Sequence, residues 1–116
     1  MKDLKKVKYL ILDMDGTVYM PKHLKTLFGQ VSAKMTEFIA LKLGIDKIKA
    51  KEIQADYFYR YDTSLAGLMK NYPKIIDPRE FLSFVHNINY DCLEKDIELR
   101  EELLKLDVKG YICTNG

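Results

Sequence analysis

A short apolar run at residues 7–12 breaks off at Asp13-Met14-Asp15-Gly16, and nothing like it returns until Gly110-Tyr111-Ile112-Cys113. The run is continuous rather than alternating and includes β-branched residues, so it reads as a strand buried on both faces. Gly16 marks a sharp turn. Met20-Pro21 then takes the chain onward in extended form before any helix begins. Between the two strand-like segments the apolar positions recur at helical spacing. Phe28, Val31, Met35, Phe38 and Ile39 define a helix over 24–43, with Gly44 where it stops. Asp46 is placed to N-cap a second helix, to about residue 61, which carries Ile48, Ile53, Tyr57, Phe58 and Tyr61. A third helix covers 64–70, with Thr63 or Ser64 at its start, and Asn71-Tyr72-Pro73 ends it. Asp77-Pro78 supplies a cap and a first-turn proline for a fourth, through Phe81, Leu82, Phe84 and Val85. A fifth spans 96–106, with Ile97, Leu99, Leu103, Leu104 and Leu106 on its apolar side.

Strand, helices, strand implies an α/β fold in which two parallel strands are joined by a right-handed crossover. This crossover is far longer than a connection requires, so a large helical insertion sits between the strands. Residues 1–19 and 107–116 then form a partial parallel core, and 20–106 form the insertion. Two short parallel strands leave apolar faces and an edge uncovered. The expectation is therefore the first half of a larger protein, whether truncated, split or paired with a second chain.

Composition narrows the function classes. The 116 residues are 47% apolar and 31% charged, ordinary for a globular domain, with a net charge of only +2. That balance argues against a DNA, RNA or membrane-surface partner. Lys2, Lys5, Lys6 and Lys8 read as a solvated fringe. Asp13 and Asp15 interrupt the first apolar run too early for a signal peptide, and no segment is long enough to span a bilayer. Cys92 and Cys113 lack zinc spacing and read as reduced thiols, which points to the cytoplasm.

The chemistry concentrates after the first strand. Ligands of open parallel sheets bind beyond the carboxyl ends of the strands, where Asp13 and Asp15 stand. In an extended i, i+2 arrangement both carboxylates share a face and invite a hard divalent cation. A carboxylate can also attack phosphorus and become an aspartyl-phosphate. Gly16 lets the backbone turn, and Thr17 offers a hydroxyl and an amide. An EF-hand reading fails: counted from Asp13, the glycine position holds Val18 and the final glutamate position holds Leu24. At the end of the second strand, Thr114-Asn115-Gly116 offers a hydroxyl and an amide to the oxygens of a phosphoryl group held at Asp13.

Tyr9-Leu10-Ile11-Leu12-Asp13-Met14-Asp15-Gly16-Thr17 resembles the first motif of the haloacid dehalogenase-like (HAD) hydrolases, and Ile112-Cys113-Thr114-Asn115 resembles the second. The resemblance implies a Rossmann-like parallel core with an α-helical cap inserted after the first strand. Residues 57–68, 77–82, 90–93 and 96–106 resemble the cap of the pyrimidine 5′-nucleotidase subgroup, although glycine often stands there at the position of Asp62. The implied activity is Mg2+-dependent hydrolysis of a small phosphomonoester, with a nucleoside 5′-monophosphate as one candidate. Asp13 is the implied nucleophile, and Asp15 the acid that protonates the leaving alkoxide and then activates water. Mg2+ is held at the Asp13 carboxylate and the Asp15 carbonyl, while Gly16, Thr17, Thr114 and Asn115 serve the phosphate. In the cap, Tyr61, Asp62 and Thr63 are candidate substrate contacts.

The family's lysine and its further acidic pair have no counterpart in the sequence, so little activity is expected from this chain alone. Rival readings are a non-catalytic remnant, one subunit of a split enzyme, and a phosphomutase of the same superfamily. Tyr57 and Tyr59 read as helix-boundary aromatics, His23 and His86 as structural or solvated, and Lys22 and Lys25 as solvated rather than substitutes for the missing lysine.

Overall fold

A computed structural model describes residues 4–114. The architecture is α/β: 63% helix, with one two-stranded parallel sheet and a helical insertion between its strands. In chain order the elements are β1 (Tyr9–Asp13), α1 (Leu24–Leu43), α2 (Lys47–Tyr61), α3 (Ser64–Asn71), α4 (Pro78–Val85), α5 (Ile97–Leu104) and β2 (Lys109–Cys113). The register sets Tyr9 opposite Lys109, Ile11 opposite Tyr111, and Asp13 opposite Cys113.

The helix boundaries follow from local chemistry. A helix leaves its first N–H groups without intrahelical partners, and short polar side chains satisfy them. Asp46 accepts from the Lys49 amide at 2.8 Å, and Asp96 from the Leu99 amide at 2.9 Å. Thr63 Oγ1 accepts from the Ala66 amide at 3.1 Å, which makes Thr63 rather than Ser64 the cap of α3. Asp77 accepts from the Arg79 amide at 2.9 Å, with Pro78 in the first turn of α4. Gly44, at φ 63°, ends α1 in the left-handed region. Asp62 closes α2 at φ 66°, where an L-residue is strained and glycine is not.

The chain forms two compact units: Leu27–Asn89, which is helical, and Met1–Thr26 with Tyr90–Gly116, which contains the sheet. These cuts differ from the division at 19 and 107 read from the sequence, because 20–26 and 90–106, α5 included, group with the strands. The helical unit has a dense core of Phe38, Ile39, Ala50, Tyr57, Leu68, Ile76, Phe81 and Val85. Phe38 meets Phe81 edge-on, with ring centroids 5.2 Å apart. Each such side chain stabilises by roughly 1.5–3 kcal/mol through burial. The apolar spacing of α2 overstates its buried face, since Ile48 and Phe58 are exposed while Tyr57 is buried. At Gly67 an added Cβ would lie 2.5 Å from Tyr57 Cβ, so α2 and α3 approach this closely only over a glycine.

The sheet unit differs, and it corrects the expectation of a strand buried on both faces. Leu10 and Leu12 are half-buried, but Tyr9 and Ile11 are 61% and 70% exposed, and all of β2 is exposed. Leu10, Leu12, Gly110 and Ile112 line a cavity of about 660 Å³ shared with Leu99 and Leu103 of α5. Tyr9, Ile11 and Tyr111 share the other face, where the two tyrosine rings lie 6.3 Å apart. A continuous apolar run identifies a strand; its burial depends on what packs over it, and two strands offer too little. Among the described residues, no helix is long and apolar enough to cross a membrane.

Candidate functional site

β1 delivers Asp13 at its carboxyl end in extended conformation (φ −71°, ψ 143°), and Asp15 is extended as well (φ −72°, ψ 118°). Gly16 then turns the chain at φ 73°, a left-handed conformation natural to glycine. A Cβ there would meet Leu24 Cδ1 at 3.4 Å, an ordinary contact, so torsion rather than space calls for glycine. The turn folds the following residues back onto the carboxylates. Thr17 Oγ1 donates to Asp13 Oδ2 over 3.4 Å, a long bond at an exposed position. The Tyr19 hydroxyl donates a hydrogen bond to Asp15 Oδ1 at a partly buried position.

Tyr19 is the site residue that sequence reasoning missed. Its ring lines the apolar cavity with Met14, Val18 and Leu93, and its hydroxyl lies on the acidic turn. Its pKa is pushed up to about 12 by partial burial first, then by the bond to Asp15 and the electrostatic influence of Asp15, with smaller effects from its neighbours. It is therefore a neutral donor throughout the physiological range. The available signal was a tyrosine four residues after Asp15, across a glycine turn.

The parallel register brings the second motif to the same end of the sheet. Cys113 is the direct partner of Asp13, so Thr114 follows at the adjacent strand end. Asn115 lies outside the described residues. Asp13, Asp15, Gly16 and Thr17 thus form one turn with Thr114 at the neighbouring terminus. Tyr61, Asp62 and Thr63 stand together in the helical unit, at the junction of α2 and α3. There the Tyr61 hydroxyl accepts from Asn71 Nδ2 at 3.5 Å, Thr63 is engaged as the α3 cap, and Asp62 is exposed. Arg60 and Lys70 lie over the Tyr61 ring, both 5.4 Å from its centroid. Tyr57, by contrast, belongs to the core.

The chain is similar to a yeast protein. It is 31% identical over 104 residues to Phosphate metabolism protein 8 of Saccharomyces cerevisiae, an alignment taking in 88% of this chain and 32% of the relative. The chain thus spans about a third of the length of this curated relative. No protein-family model matches the chain.

The donors at the turn are of the hard kind. Two carboxylates and a backbone carbonyl are hard oxygen donors, and Mg2+ commonly takes one or two protein carboxylates with water and substrate phosphate around the rest. Among the described residues, no group of three or more His, Cys, Asp and Glu converges on a common point. At the turn, the Asp13 and Asp15 carboxylates are the groups chemically suited to a hard divalent cation.

Proposed function

We propose that this chain carries the nucleophile-bearing part of a magnesium-dependent phosphomonoester hydrolase of the HAD type, similar to pyrimidine 5′-nucleotidases and working in the cytoplasm. The observation that carries the reading is the register that pairs Asp13 with Cys113, so that an acidic turn and a threonine loop end side by side. The likeness to a yeast protein named for phosphate metabolism supports it.

In this reading the Asp13 carboxylate attacks the phosphorus of a small phosphomonoester, such as a nucleoside monophosphate. The bond to the leaving oxygen breaks, and Asp15 gives that oxygen its proton. Water then attacks the aspartyl-phosphate, Asp15 takes the proton back, and phosphate and the free Asp13 carboxylate result. Thr17, Thr114 and Asn115 offer donors to the phosphoryl oxygens, and Gly16 lets the backbone turn beneath them. The Asp13 carboxylate and the Asp15 carbonyl would hold Mg2+, which would supply positive charge against the repulsion between carboxylate and phosphate dianion. Tyr61, Asp62 and Thr63 contribute to substrate choice from the cap.

The bare sheet face of Tyr9, Ile11 and Tyr111 favours a second reading alongside the first. In it this unit is a subunit completed by further polypeptide, and is non-catalytic without it. The test is phosphate release from a panel of monophosphates, by the chain alone and with the remaining two thirds of the yeast relative supplied in trans. We expect release only in the second case, dependent on Mg2+ and reduced by about 10³-fold or more in Asp13→Asn. Release indifferent to Asp13 contradicts the phosphatase reading. Transfer of phosphate to a second hydroxyl of the substrate, without release, indicates a phosphomutase.

A further inference from the structure

We infer that Tyr19 is a positioning residue for Asp15: its hydroxyl holds Oδ1, so that Oδ2 is the oxygen presented to the leaving group and then to water. The inference rests on the phosphoryl-transfer reading and adds a residue that neither motif contains.

The two carboxylates of the turn are held in different ways. Asp13 is exposed and accepts a long bond, 3.4 Å, from the rotatable hydroxyl of Thr17. Asp15 is half-buried and its Oδ1 accepts from a phenol. A phenol at the end of a ring has two side-chain torsions to fix, against the freely turning hydroxyl of threonine. The Tyr19 ring is itself seated, since it lines the apolar cavity beside Met14, Val18 and Leu93. The chain reaches this arrangement through the left-handed turn at Gly16, which returns the fourth residue after Asp15 to its carboxylate.

This difference matches the two tasks. A nucleophile needs an accessible oxygen that can move onto phosphorus. An acid that serves twice, once for the leaving oxygen and once for water, needs one fixed orientation throughout, and misplacement by about 1 Å costs on the order of 10²-fold in rate. A carboxylate has two oxygens, and occupying one with a neutral donor decides which remains available.

The experiment compares the wild-type chain with Tyr19→Phe, which keeps the ring in the cavity and removes only the hydroxyl. Three-bond couplings in the labelled chain report the Asp15 side-chain torsion, with the amide spectrum confirming that the fold is retained. We expect one Asp15 rotamer in the wild type and averaging over rotamers in Tyr19→Phe; a single rotamer in both overturns the inference. In the trans-complemented assay, kcat/KM is measured for an alkyl phosphate, which needs a proton on departure, and for 4-nitrophenyl phosphate, which does not. We expect Tyr19→Phe to lower the first by about 10–100-fold and the second by less than about 3-fold. An equal loss on both overturns the positioning role, because general structural damage ignores the leaving group. If the wild type releases no phosphate, the phosphatase reading fails and the Asp15 torsion alone decides the role of Tyr19.

Discussion

The helical unit and the sheet unit are built on opposite terms. Every buried residue among those described, from Leu27 to Val85, lies in the helical unit, and the sheet unit has none. Yet the acidic turn, the threonine loop and Tyr19 all belong to the sheet unit. The part that carries the candidate chemistry is thus the part with no core of its own. Local stability within a chain follows buried apolar contacts, so the two units should open at very different free energies. Fold and candidate chemistry are encoded in separate stretches of this sequence.

That contrast can be broken most directly by truncation. Phe38, 2% exposed, anchors the helical core, whereas Ile11 in β1 is 70% exposed. Phe38→Ala should cost about 3–5 kcal/mol, and Ile11→Ala less than about 1 kcal/mol, in denaturant unfolding followed by helical circular dichroism. Comparable costs would mean that the sheet unit is buried in solution. Gly67→Ala sharpens the account of the helical side, because the new Cβ would fall 2.5 Å from Tyr57 Cβ, which is fixed to the backbone and cannot swing away. A loss of about 1–3 kcal/mol is expected in the same experiment.

Asp62→Gly should act in the other direction, since φ 66° suits glycine. Relief of left-handed strain, less the extra backbone entropy of glycine, leaves a gain of about 0.5 kcal/mol. No gain would mean that the α2–α3 junction is relaxed as it stands. The smallest effect belongs to the sheet unit and appears only in alkali. The pKa of Tyr19 is raised from 10.0 to about 12, so the fold favours its neutral form. Its contribution is complete below the unfolded value near 10 and fades as pH rises through about 12. Phenolate absorbance should show Tyr19 ionising late in the wild type, alongside Tyr57, whose phenol burial also pushes up, and Tyr19→Phe should remove one tyrosine's share of that late step.

The legible parts of the fold were those fixed by neighbours in sequence. Asp46, Thr63, Asp77 and Asp96 each cap a helix within three residues, so a short polar side chain before an apolar run sufficed to place them. Gly44 and Gly16 were legible for the same reason, since each governs its own torsion. Burial was not legible where it depends on distant partners. The run at 7–12 identified a strand, but nothing local could say that Ile11 would face outward, or that Ile48 and Phe58 would be exposed on α2. At the candidate site, the spacing of Asp13 and Asp15 and the placement of Thr114 were readable from the strand ends. Tyr19 was not, because only the turn at Gly16 carries its hydroxyl back to Asp15.

The most direct measurement is chemical trapping of the enzyme during turnover in the trans-complemented assay. Borohydride reduces an aspartyl-phosphate to homoserine, and peptide mass spectrometry locates the change. The account predicts homoserine at position 13, dependent on substrate and Mg2+ and absent from Asp13→Asn. Phosphate release with position 13 unmodified, or with the label on another residue, would contradict it.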